Sequence, residues 1–124
     1  MKLTRYVLKK CLRRVNNYIN EQKKLGIKSD IMSCSKLKIR KSKIDINYRT
    51  LTDIIFIYDS INKHWAETDG YKIWLNTYKE YNDDTLYYTL LHENLHGIIY
   101  RNGENLSEYL EHEIMKLLNI KLIE

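Results

Sequence analysis

Thr89-Leu90-Leu91-His92-Glu93-Asn94-Leu95-His96-Gly97 is the stretch on which the reading of this chain turns. It holds His-Glu-x-x-His inside a run that reads as helix. Two histidines four residues apart on a helix share one face, one turn apart, so their imidazoles can converge on a single metal ion. Zinc takes imidazole nitrogen at about 2.0–2.1 Å, and a catalytic zinc keeps one of its four positions open for water. Glu93 directly follows His92, where a carboxylate can serve as general base towards water activated by the metal. The bland alternative is a pair of surface histidines on an amphipathic helix. Leu90, Leu91, Leu95, Ile98 and Ile99 argue against it, because they mark a buried helix, and buried His and Glu need partners.

Working downstream, Asn82-Asp83-Asp84 supplies capping residues ahead of this helix, and negative charge suits its N-terminus. The helix should run to about Arg101 and end at Asn102-Gly103. A last helix starts near Asn105, with Leu106, Tyr109, Leu110, Ile114, Leu117 and Leu118 as its apolar stripe. The short link between the two helices predicts that they pack antiparallel. That hairpin brings Glu111, His112 and Glu113 level with the histidine pair as candidates for the third ligand that a catalytic zinc requires. At about 100° per residue Glu113 falls within the apolar stripe, whereas Glu111 and His112 fall on its two margins. A carboxylate on a buried face is costly unless paired or metal-bound. Glu113 is therefore the favoured third ligand, with His112 and Glu111 as alternatives.

Upstream, Ile54-Ile55-Phe56-Ile57-Tyr58 is a continuous apolar run, the pattern of a strand buried on both faces. Asp59 to Gly70 reads as a polar loop with His64 in it, more simply an ordinary loop histidine than a ligand. Asp59, Glu67 and Asp69 could support the metal-binding histidines from that loop. Tyr71 to Asn76 reads as a strand after the Asp69-Gly70 turn. Further back, Leu37, Ile39, Ile44, Ile46 and Tyr48 alternate with Lys, Arg, Asp and Asn, the period of half-buried strands. Residues 3–25 carry apolar positions at spacings of three and four, which predicts one long helix with a basic outer face, stopped at Gly26.

The 124 residues suit one domain spanning 1–124. The fold class read from this order of elements is α+β: an N-terminal helix, a small, mostly antiparallel sheet of three to four strands, and two final helices packed antiparallel. Charge is divided unevenly. Residues 1–50 hold 15 Lys/Arg and 3 Asp/Glu, whereas residues 51–124 hold 6 and 13. A basic half of that kind suggests a polyanion such as nucleic acid as a partner, although a solvated helix face and lysines guarding strand edges give the same pattern. No apolar run reaches membrane-spanning length, and the basic N-terminus lacks the apolar core of a signal peptide. Cys11 and Cys34 sit in no metal-ligand spacing, so a reduced, cytoplasmic protein is expected, without a membrane partner.

Thr-Leu-Leu-His-Glu-x-x-His-Gly, preceded by a strand such as Tyr71-Lys72-Ile73-Trp74-Leu75-Asn76, resembles the SprT-like and related minimal gluzincin metallopeptidases, and also phage and viral proteins of the ImmA/IrrE type. The likeness covers roughly residues 54–118. It implies a zincin-like arrangement, one catalytic Zn2+, and hydrolysis of a protein or peptide substrate. It also implies that the strand ahead of the metal helix is a sheet edge that pairs with extended substrate, with Trp74 and Asn76 near that groove. SprT-like enzymes carry a third histidine downstream. Here an ungapped alignment lands nearer Glu111, and His112 is the only histidine close by. Tyr109 and His112 are candidates to stabilise the oxyanion. Two other functions compete with a peptidase: a nucleic-acid-binding protein with a structural or vestigial zinc, and a partner-binding protein without metal.

Overall fold

Thr4 starts the first helix. Its hydroxyl accepts a hydrogen bond from Val7 N at 3.2 Å and its carbonyl one from Leu8 N at 3.0 Å, which satisfies amides that would otherwise open the helix unpaired. The computed structural model describes residues 1–25 and 49–102. Within them α1 spans Arg5–Leu25, β1 Ile54–Ile57, β2 Ala66–Thr68, β3 Ile73–Asn76, and α2 Asp83–Asn102. The alternating strands expected before Tyr48, the stop at Gly26 and the helix expected after Asn105 lie outside the described residues.

The chain is α+β, with two helices and a small three-stranded sheet among the described residues. Strand order is β1-β3-β2. β3 runs parallel to β1, with Ile54 opposite Ile73 and Ile57 opposite Asn76, and antiparallel to β2, with Ala66 opposite Leu75. The described sheet is thus mixed, with one parallel and one antiparallel pair, where a mostly antiparallel sheet is expected from the sequence. The reason lies in the segment between Tyr58 and Trp65: it carries the chain past the site of β3 to the far edge, and a hairpin then returns it to the middle.

Two strand readings change with that topology. Ile54–Ile57 is an edge of the described sheet, not a strand buried on both faces, and Phe56 is 48% exposed. A continuous apolar run does not by itself reveal which neighbours cover it. Ala66-Glu67-Thr68, read as loop, is the opposite edge strand. The β2–β3 turn is built from side chains. The Asp69 carboxylate accepts hydrogen bonds from Tyr71 N and Lys72 N, both at 2.9 Å, and these hold its pKa below the ordinary carboxylate value. Thr68 Oγ1 donates to Lys72 O and accepts from Gly70 N.

Helix α2 opens on a reciprocal cap. Asn82 Oδ1 accepts from Thr85 N at 2.9 Å, and Thr85 Oγ1 accepts from Asn82 N at 2.8 Å. The helix then packs on both α1 and β2. Val15 and Ile19 of α1, Leu51, Ile73 and Leu75 of the sheet region, and Leu86, Leu90, Leu91, Leu95 and Ile98 of α2 form one buried core. Burial of each such side chain contributes about 1.5–3 kcal/mol relative to exposure. At the α1–α2 junction Arg14 pairs with Asp84 at 3.3 Å and lies over the Tyr87 ring at 3.7 Å. No described helix is long and apolar enough to cross a membrane.

Candidate metal centre

A buried helix presents its polar groups only where something is built to receive them. Here His92, Glu93 and His96 are 2%, 3% and 7% exposed. The α2 spacing brings His92 Nε2 and His96 Nε2 to 3.0 Å, with ring centroids 4.6 Å apart and planes inclined at 73°. Two nitrogens bound at about 2.0–2.1 Å and subtending a tetrahedral angle stand about 3.3 Å apart. The observed separation is within a few tenths of an ångström of that value. It is also a hydrogen-bonding distance, with one ring donating N–H to the other. Metal uptake would replace that hydrogen bond, because both Nε2 atoms must then be bare, with the single proton of each neutral ring on Nδ1. The donor set suits zinc or another borderline transition metal.

The opposite side of α2 fixes its rotation. Asn94, Gly97 and Arg101 lie about 140–200° around the helix from His92. Asn94 Oδ1 accepts from Leu51 N at 2.7 Å, and its Nδ2 donates to Leu90 O at 2.8 Å. Gly97 makes room for this approach: a Cβ there would stand 3.0 Å from Leu51 Cδ1 and 3.1 Å from Arg101 Nη1. Arg101 Nη1 donates to Gly70 O at 2.6 Å and Nη2 to Arg49 O at 2.8 Å. With this face bound to the chain leading into β1 and to the β2–β3 turn, the histidine face is held on the other side.

Glu93 lies between the two faces. Burial, together with the nearby Glu93 charge, pushes the Tyr81 phenol above its ordinary pKa, so Tyr81 stays neutral. Its hydroxyl lies 2.9 Å from Asn76 O and 3.0 Å from Trp65 O, and its ring meets Trp65 edge to face.

The structure corrects the sheet-edge expectation for Trp74 and Asn76. β3 is the middle strand of the described sheet, with both of its sides paired. Asn76 is fully buried. Its Oδ1 accepts from Asp59 N and Tyr78 N, both at 3.1 Å, and its Nδ2 donates to Asp59 O at 3.0 Å and His64 O at 3.4 Å. That fills the hydrogen-bonding capacity of the amide, so Asn76 shapes the loop after β1. Trp74 is half-buried on the sheet face opposite Ile73 and Leu75. Asp59 and Asp69 bind loop amides, and Glu67 accepts from Asn62 Nδ2 at 3.3 Å.

Among the described residues no set of three His, Cys, Asp or Glu is grouped to hold a metal. Glu113, His112 and Glu111, the candidates for a third ligand, lie outside the described residues, as does Tyr109. Sequence reading passes over Asn94 and Arg101, and places Asn76 near a substrate groove without foreseeing its bonds to the loop after β1. The available signal was an amide inside an otherwise apolar helix, since a buried Asn requires partners. Compared with known proteins, the chain matches no family model, no curated protein and no solved structure.

Proposed function

We propose that the chain is a zinc-dependent metallopeptidase, with His92 and His96 as two metal ligands and Glu93 as general base. The observation that supports this most is the buried pair of imidazole nitrogens 3.0 Å apart, with a buried carboxylate on the adjacent residue. Glu113 is the proposed third ligand, with His112 and Glu111 as alternatives. Bound zinc would supply Lewis acidity, drawing the pKa of water towards about 7 and polarising the scissile carbonyl. Glu93 takes the proton from the attacking water as the new C–O bond forms, and returns it to the amine as the C–N bond breaks. Its removal from bulk water strengthens its electrostatic action on the reacting groups. A protein or peptide is the substrate class. A reducing compartment suits the buried free thiol of Cys11, and we place the chain in the cytoplasm.

The test is zinc content and peptide hydrolysis of the chain purified without chelators, beside Glu93→Gln, His96→Ala and Glu113→Ala. We expect about one zinc per native chain, loss of metal in His96→Ala, and weakened binding in Glu113→Ala. Glu93→Gln should keep its zinc and lose at least about a hundredfold in rate, as expected when a general base is removed. Zinc retained without hydrolysis that depends on Glu93 would favour a nucleic-acid-binding protein with a structural zinc, the reading that the basic half supports. A native chain that takes up no zinc, even when the metal is added back, ends the peptidase reading.

A further inference from the structure

Arg5, Lys9 and Arg13 recur every four residues on α1, and all three are exposed. Together with Arg49 they line a groove of about 970 Å³ between α1 and residues 49–54. Leu8, Leu12 and Ile54 contribute its apolar part. Neither a carboxylate nor an aromatic ring is among the described residues that line it. Arg14 makes an instructive contrast, since it faces α2 and is matched there by Asp84 and the Tyr87 ring. Arg5, Lys9 and Arg13 enter no ion pair among the described residues. The intervening stretch 26–48 adds six Lys/Arg and two Asp/Glu, so its composition increases the positive charge of this half.

We propose that this groove seats the phosphate backbone of duplex nucleic acid without regard to base sequence. The proposal stands independently of the peptidase reading. Three cations at successive helical turns span about 12 Å along α1, a length over which a duplex carries about seven negative charges. Single strands are bound by stacking bases on aromatic rings, and the described residues that line this groove offer none. An anionic lipid surface fits poorly, because the apolar stripe of α1, including Val15 and Ile19, is already spent in the core.

The experiment is fluorescence anisotropy of the full chain with two unrelated duplexes of about 20 base pairs, from roughly 50 to 200 mM salt. Both duplexes should bind equally, with affinity falling linearly in log–log form. Arg5→Gln/Lys9→Gln/Arg13→Gln should weaken binding at least about tenfold and reduce the salt slope by about three. Removing the same charge elsewhere, in Lys63→Gln/Lys72→Gln/Lys79→Gln, should change affinity less than about threefold. Arg5→Lys/Lys9→Arg/Arg13→Lys, which keeps the charges, should bind like the native chain, and circular dichroism should show the neutralised variant folded. Absence of duplex binding at the lowest salt overturns the proposal, as do equal losses in both neutralised variants. Tighter binding to a single strand of the same length, or equal binding to polyglutamate, overturns it as well.

Discussion

Asn94 occupies the first variable position of the His-Glu-x-x-His segment, and its amide closes a 2.7 Å hydrogen bond to Leu51 N. Asn94→Leu keeps the size of the side chain but leaves that buried amide without its acceptor. The expected cost is about 1–3 kcal/mol, read from chemical denaturation of the two proteins side by side; an unchanged midpoint would mean that water or a shifted loop replaces the bond. Cys11 gives a second prediction. Burial pushes its thiol from 9.0 up to about 11. The folded chain therefore keeps a proton that the unfolded chain loses, so this contribution to stability is intact below pH 9 and fades as pH rises towards 11. Cys11→Ala should fall less steeply in stability across that window, and superimposable curves would refute the assignment. These residues also show what sequence can reveal. The histidine pair is legible because its geometry depends on a four-residue spacing within one helix. Asn94 and Asn76 are not, because the groups they bind lie 43 and 17 residues away.

The helices are encoded by local chemistry, whereas strand pairing is decided by distant segments. Both described helices were expected, since their caps and apolar spacing are encoded within a few residues, as at Thr4 and at Asn82 with Thr85. Ala66–Thr68 is too short to display a period, and its strand character comes from pairing with Leu75, Trp74 and Ile73. Whether Ile54–Ile57 lies centrally or at an edge is likewise decided by where the later hairpin inserts. The Asp69-Gly70 turn was legible because Gly70 adopts φ +94°, where glycine is the residue without a steric penalty. Gly70→Ala meets two obstacles: that backbone angle, and a Cβ placed 2.5 Å from Tyr100 Cδ1. A loss of about 1–3 kcal/mol is expected, seen as a lower thermal midpoint. A midpoint within a degree of the native one would show that Tyr100 swings aside and the turn relaxes.

Across the whole molecule, one core joins α1, the sheet and α2, so the histidine helix is held by residues from both ends of the described chain. The division between a basic first half and an acidic second half is partly bridged at Arg14 and Asp84, where the two described helices meet. Composition alone revealed the charge asymmetry. It could not reveal that three cations of α1 line one groove with Arg49 while Arg14 turns to Asp84 and Tyr87, because that depends on which way α1 is rolled.

Arg101 ties the last turn of α2 to the carbonyls of Gly70 and Arg49, and so links three chain segments through one side chain. A helix end ordinarily frays on its own, exchanging its amide protons long before the rest of the protein opens. Bound in this way, the end of α2 should share its opening free energy with β3 instead. Native-state hydrogen exchange should then report α2 amides near Ile98 and β3 amides near Leu75 as one cooperative unit, split into two by Arg101→Ala. If the two sets already exchange with different opening energies in the native chain, the tie is too weak to couple them.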